Sequence, residues 1–275
     1  MHRRLLPIAC AVAALAASGC DVKVGEKGVS LDISHGKATD EWKRSYPVTA
    51  GGHLEILNVN GPIEVSQASG GTVEIVATRE ARANSDDAAQ ALLRTQPKIM
   101  EEAGDSQVKV AVEEQPNAEG QFGAARTSVQ FRVSIPDGLT ATFRTRNGDV
   151  RLDNVNGRFD ASTTNGRVMA FGLVGSLTSS TVNGEQQIGI AALAGDVSLH
   201  GVNGGMRVLV TPTADADIEL TTVNGFVDID ASLPLNVQDR SRVHLTGRLN
   251  KGGPKISAQT TNGLVRASGR PSPSN

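Results

Sequence analysis

The residues best placed to do chemistry are carboxylates. Asp153 and Asp160 flank one glycine corner, and Asp228 and Asp230 alternate along one strand-like run. Two convergent carboxylates are what acid–base cleavage of a glycosidic bond requires. Alternation on a strand also puts ordinary solvated side chains at such places, and that is the plainer account of all four. Asp215-Ala216-Asp217 replaces a corner glycine and would make either a weak cation site or a polar turn. His35, His53, His200 and His244 are scattered, with no His-x-x-x-His or cysteine partner of the kind zinc needs. There is no Gly-x-Ser-x-Gly elbow, no Gly-x-x-x-x-Gly-Lys phosphate loop and no Gly-Gly-x-Gly-x-Asp calcium repeat. The expectation is a protein without catalytic residues, cofactor or metal.

The elements that would position these side chains are set by a repeat. Glycine returns every nine residues at Gly148, Gly157, Gly166, Gly175 and Gly184, then at Gly195, Gly204 and Gly225. Asparagine precedes most of them, at Asn147, Asn156, Asn165, Asn183, Asn203 and Asn224, with outlying Asn60-Gly61 and Asn262-Gly263. A fixed period means stacked copies of one small unit. Two and four places after glycine come apolar residues such as Val150, Leu152, Val168, Ile188, Val197 and Leu199. Seven places after come Val155, Thr164, Leu173, Val182 and Val202, while Asp149, Arg151, Arg167 and Asp196 fall between. Such alternation predicts one short half-buried strand per unit.

Two arrangements compete. Asn-Gly is a strong hairpin signal and would give an antiparallel meander. A two-residue loop would then pair Val155 with Arg158, Thr164 with Arg167 and Val182 with Glu185, apolar against charged. The other arrangement is a solenoid that bends at Asn-Gly and stacks on its next coil. Asn147, Asn165, Asn183, Asn203 and Asn224 are spaced by 18, 18, 20 and 21 residues, which makes two units per coil. Stacking would superpose the asparagines as an amide ladder. It would also place Asp149, Arg167 and Glu185 in one column, about 4.8 Å apart. Asparagine and glycine both suit a positive φ at such a corner. The fold class expected is all-β: a parallel β-helix-like solenoid of 18–21-residue coils with Asn-Gly corners and one short helical insertion.

The rest of the chain fits around this. Residues 85–103 interrupt the β pattern: Ser85 is a plausible N-cap, Asp86 and Asp87 suit a first turn, and Pro97 should kink or split the helix. Repeats need end caps, and this insertion and residues 232–254 are the candidates, with Lys255 to Ser268 as a last rung. A loop is expected near 114–127 and a disordered tail over 270–275. Residues 1–19 pair Arg3 and Arg4 with an apolar run too short to span a bilayer, the plan of a signal peptide.

Ala17-Ser18-Gly19-Cys20 resembles the lipobox of bacterial lipoproteins, which implies a lipid on Cys20 and a membrane anchor. Residues 20–41 then read as a lipidated N-terminus and tether, and 42–269 as the solenoid domain. The run from Leu54 to Val65 (LEILNVNGPIEV), with the repeated Thr-Val-Asn-Gly and Thr-Thr-Asn-Gly corners, resembles the bacterial "putative adhesin" family of β-strand-repeat domains. The likeness covers roughly residues 45–268. It implies an exported or membrane-anchored β-solenoid with an adhesion-like role, and supplies no catalytic residues.

Composition narrows the partner. Of 27 basic residues, Arg3 and Arg4 leave with the signal peptide, so 25 face 29 acidic ones, a net of −4. Nucleic acid is excluded on that balance. The expected function is a non-catalytic, lipid-anchored envelope protein that offers a hydrogen-bonding flank to a protein or an envelope polymer, in adhesion or envelope-stress sensing. A carbohydrate-active β-helix enzyme and a passive spacer are the alternatives.

Overall fold

A computed structural model describes residues 21–25, 28–32, 36–48, 51–104, 106–113 and 125–269, with side chains from residue 36 onward. The signal peptide, Cys20, most of the loop expected at 114–127 and the tail at 270–275 lie outside the described residues. The chain opens with a two-stranded antiparallel ribbon, β1 (Asp21–Gly25) and β2 (Gly28–Asp32). Then come β3 (Gly36–Pro47), β4 (His53–Leu57), β5 (Ile63–Gln67) and β6 (Thr72–Ala83). Helix α1 (Asp86–Thr95) precedes β7 (Ile99–Ala103), β8 (Gln107–Val112) and β9 (Arg126–Ile135). The repeat supplies β10 (Leu139–Asn147), β11 (Val150–Asp153), β12 (Asn156–Asn165), β13 (Val168–Asn183), β14 (Gln186–Asn203) and β15 (Met206–Val210). The chain ends with β16 (Ala216–Ile229), β17 (Leu235–Arg240), β18 (His244–Leu249) and β19 (Lys255–Gly269).

β3 to β19 form a single mixed sheet of 17 strands. Its centre is parallel. One run of neighbours is β8, β4, β10, β12, β13, β14, β19 and β16. A second run is β9, β5, β11, β13, β14, β15, β19 and β16. The long strands β13, β14, β16 and β19 bend through a corner and serve both. Register steps by the asparagine period: Asn147 pairs with Asn165, Asn165 with Asn183, and Asn183 with Asn203.

The strands before and after these Asn-Gly corners pair in parallel, as β12 with β13, β13 with β14 and β14 with β15, or do not pair at all, so the antiparallel meander is absent. The side-chain argument raised against it holds only in part. Val155 and Leu173 are buried, but Thr164, Val182 and Val202 face solvent. Position seven after glycine therefore faces inward at Val155 and Leu173 and outward at Thr164, Val182 and Val202. What rules out hairpins is the parallel register itself.

Alternation builds the core. Val150, Leu152, Val168, Leu173, Val197 and Leu199 are fully buried, and Phe131, Phe143 and Phe159 are its largest side chains. Phe143 and Phe159 stack with centroids 6.5 Å apart. Each such side chain contributes about 1.5–3 kcal/mol on burial.

Several expected boundaries shift. β3 begins at Gly36, inside the segment read as a tether, because residues 36–47 pair antiparallel with β6. Only part of the insertion is helical. Ser85 caps it by accepting from the Ala88 N–H, and Pro97 follows its C-cap Gln96, so proline ends the helix instead of kinking it. Residues 99–103 pair with β8. The segment read as a last rung, β19, lies between β14–β15 and β16. Asn224 therefore stacks on Asn262 and not on Asn203. Antiparallel strands close both ends: β17 and β18 beyond β16, and β3, β6 and β7 with α1 at the other end. Ala89 and Leu93 of α1 pack on Ala38, Ala81 and Ala83.

Candidate functional site

Seven asparagines line one flank. Asn147 Nδ2 donates to Asn60 Oδ1 (2.8 Å), Asn165 to Asn147 (2.8 Å), Asn183 to Asn165 (2.9 Å) and Asn203 to Asn183 (3.0 Å). Asn262 continues to Asn203 (2.8 Å), and Asn224 to Asn262 (2.9 Å). A carboxamide has two N–H donors and a carbonyl with two lone pairs. Each amide inside the ladder thus keeps one N–H and one lone pair for a partner. These asparagines have ordinary negative φ; among the described residues Asn154 and Asn250 are the positive-φ residues outside glycine. The ladder positions hold asparagine for its amide, and the expectation of left-handed backbone there is corrected. Asn156 belongs to the opposite corner, in register with Val174, and has no place in the ladder.

Glycine follows each ladder asparagine because neighbouring backbone segments approach too closely for a side chain. A Cβ on Gly184 would sit 1.8 Å from the Gly166 carbonyl oxygen, and one on Gly166 would sit 2.1 Å from that of Gly148. The same holds at Gly61, Gly148, Gly204, Gly225 and Gly263, and at Gly157 in the opposite corner. Threonines two places before asparagine complete the corner from inside. Thr145 Oγ1 donates to the Gly61 carbonyl, Thr163 to Gly148, Thr181 to Gly166, Thr260 to Gly204 and Thr222 to Gly263, at 2.8–3.2 Å. Asn58 takes this place in its rung and donates to Gly61 and Val129. Gly201 replaces threonine in another, where the Met206 side chain fills the space.

Beside the ladder runs an outward column of Val59, Arg146, Thr164, Val182, Val202, Thr261 and Val223. Val182 and Val202 are each 41% exposed, Val223 62% and neighbouring Phe226 50%. The flank is therefore amide-lined on one edge and partly apolar on the other.

The candidate carboxylates are all held by arginines. Arg151 donates to Asp153 at 2.6 Å, and Arg144 approaches Asp160 at 3.5 Å. Arg266 reaches both Asp228 (3.3 Å) and Asp230 (2.9 Å). The Ser232 donors and Arg266 hold the Asp230 carboxyl below its ordinary range. Asp215 accepts from the Lys251 N–H and Asp217 from Arg248, so this corner is a polar turn. No cluster of metal-ligating side chains occurs among the described residues. The charge column forms in part: Arg167 binds Asp149 (2.7 Å). Burial pushes the Asp149 carboxyl up, but the hydrogen bonds and charge of Arg167 outweigh it and hold it low. Glu185 adds its attraction to Arg167.

An open groove of about 660 Å³ adjoins the flank across β7, β8, β4, β10, β12 and β13. Lys109, Arg144 and Arg146 line it, with Glu102 as the one carboxylate among the described lining residues. Among the described residues, two convergent acids are therefore not brought together there. Sequence reading missed this groove because its lining comes from segments far apart along the chain. The ladder and its glycines were legible as Asn-Gly spacing.

Comparison with protein families and with curated proteins finds no match. Among solved structures, the chain is similar to a "putative cell adhesion protein" of Clostridium sporogenes, at 10% identity and TM-score 0.47, over 85% of this chain and all of that one. It is also similar to a "putative adhesin" of Bacteroides fragilis, at 10% identity and TM-score 0.30, over 84% and 97% of the two chains. A "putative adhesin" of Parabacteroides distasonis is 13% identical, with TM-score 0.25, over 84% and 97%.

Proposed function

We propose that this chain is a non-catalytic protein of the bacterial cell envelope, adhesin-like, whose stacked rungs form a β-solenoid. Its asparagine flank binds a partner protein or an envelope polymer. The parallel register at the asparagine period supports the solenoid reading. The carrying observation for function is the ladder itself: six amide–amide bonds hold a straight row of outward donors and acceptors beside exposed Val182, Val202 and Val223. Such a row suits an extended ligand lying along the stack. Arginine pairing of each candidate carboxylate favours this over glycoside hydrolysis. Among the described residues no helix is long and apolar enough to cross a membrane. Attachment would come from signal-peptide cleavage before Cys20 and lipid on its thiol, for which more than one acyl chain gives stable anchoring.

Crosslinking on intact envelopes tests this. A Val202→Lys/Val223→Lys variant places charge on the exposed column and should lose the captured species at unchanged expression. Capture identical to the parent chain, or turnover of an envelope glycan by the purified protein, would overturn the reading.

A further inference from the structure

The corner at the far end of the ladder differs from the rest. Seven large hydrophobics stand well exposed among the described residues, and three of them meet there: Val223 (62%), Phe226 (50%) and Val243 (36%). Single apolar side chains are ordinary on a surface, whereas a cluster marks a contact. Val223 comes before the bend at Asn224-Gly225 and Phe226 after it. Register sets half-buried Leu264 beside Phe226.

Val243 is brought in by the hairpin between β17 and β18. The Thr222 N–H donates to the Val243 carbonyl and the Val227 N–H to that of Arg242, each at 2.9 Å. Ser241 Oγ accepts from the Val243 and His244 N–H groups, at 3.3 and 3.1 Å. The hairpin end is thus pinned to both arms of the corner, and the apolar vertex is preformed. The same hairpin end carries Arg240 and Arg242, both exposed. Neither guanidinium has a hydrogen bond or ion pair among the described residues. Asp239 precedes them, but alternation turns it to the other face of β17 from Arg240, and it lies 3.9 Å from His244. Asp228, two places after Phe226, is held by Arg266 at 3.3 Å. The corner therefore joins uncovered hydrocarbon to two uncommitted cations.

We infer that this corner inserts into a lipid surface with anionic head groups. Val223, Phe226 and Val243 enter at the boundary of head groups and acyl chains, and Arg240 and Arg242 contact the lipid phosphates. Buried apolar area and attraction to anionic lipid are what hold a peripheral protein on a bilayer, and both sit on this one pinned corner. The apolar residues also occupy both sides of a bend, a convex shape that a deformable bilayer can surround. The inference goes beyond the flank partner proposed above. Vesicle binding needs no such partner, and variants of Phe226, Val243 and the two arginines leave Val182, Val202 and Val223 in place, so either activity can fail without the other.

Co-sedimentation of the chain from residue 20 onward, with Cys20→Ser to remove any acyl anchor, tests it. The probes are vesicles of phosphatidylcholine alone and of phosphatidylcholine mixed with phosphatidylglycerol. Binding to the mixed vesicles should be about ten-fold tighter and should weaken as salt rises. Phe226→Ser/Val243→Ser should weaken it about ten-fold, and Arg240→Gln/Arg242→Gln by about as much. Arg158→Gln/Arg207→Gln removes the same charge from exposed positions elsewhere and should leave binding within about two-fold of the parent. Equal binding to both vesicles, binding to neither, or an equal loss in the Arg158/Arg207 variant would each overturn the inference. So would undiminished vesicle binding by a folded corner variant; if that variant instead lost a crosslinked envelope protein, the corner would belong to a protein contact.

Discussion

Replacing Asn183 by alanine removes two ladder bonds at once: its own to Asn165 (2.9 Å) and that received from Asn203 (3.0 Å). A neutral hydrogen bond contributes about 0.5–1.5 kcal/mol net, and solvent competes for these exposed amides, so the expected cost is about 1–2 kcal/mol. Asn224 ends the ladder, and Asn224→Ala removes a single bond, at about half that cost. Asn156 also precedes a glycine, but it sits at the opposite corner, outside the ladder. Asn156→Ala should therefore stay within about 0.5 kcal/mol of the parent. Urea unfolding with an unchanged slope reads all three as midpoint shifts. A cost for Asn156→Ala equal to that of Asn183→Ala would refute the reasoning, because asparagine would then matter for the corner and not for stacking.

Gly184→Ala drives a Cβ to 1.8 Å from backbone and should cost about 3 kcal/mol or more. Gly71→Ala, which meets nothing within 4 Å, should be nearly neutral in the same melts. Thr181→Val keeps shape but leaves the Gly166 carbonyl without its 3.0 Å donor, at about 1 kcal/mol by the same unfolding assay. Asp149 has a carboxyl held low by Arg167, so its contribution is present above the ordinary aspartate pKa and lost as pH falls through the lowered value. The destabilisation caused by Asp149→Asn, measured at neutral pH, should therefore shrink as the pH falls below the ordinary aspartate range. Mass analysis of the mature N-terminus should show cleavage before Cys20 and added acyl mass; an unmodified Cys20 contradicts anchoring.

Local pattern made much of this molecule readable. Alternation after each glycine told which side of the strand faces inward at Val150, Leu152 and Val168. The period of Asn147, Asn165 and Asn183 foretold the amide ladder, and placed Arg167 against Asp149. Order along the stack was not readable. β19 carries an Asn-Gly corner (Thr260 to Gly263) much like those of its neighbours β14 (Gly201 to Gly204) and β16 (Thr222 to Gly225), so nothing local says that it inserts before β16. Equivalent rungs are interchangeable by pattern, and long-range packing decides between them. The outward turn of Val182 and Val202 was hidden for a related reason: a nine-residue period cannot show that alternate corners differ. The groove was the least accessible part, since Met100, Leu57, Arg144 and Ser180 meet only once the stack is assembled.

Cysteine pairs across the rungs test the stack most directly, in a chain with Cys20 replaced by serine. His200 and Gln259 are parallel neighbours, and so are Gln259 and Thr221. Neighbouring strands lie about 4.8 Å apart, within disulfide reach, and next-but-one strands at about twice that lie outside it. His200→Cys/Gln259→Cys should crosslink under mild oxidation, and His200→Cys/Thr221→Cys should not. Crosslinking of the second pair and not the first would contradict the parallel order on which the whole account stands.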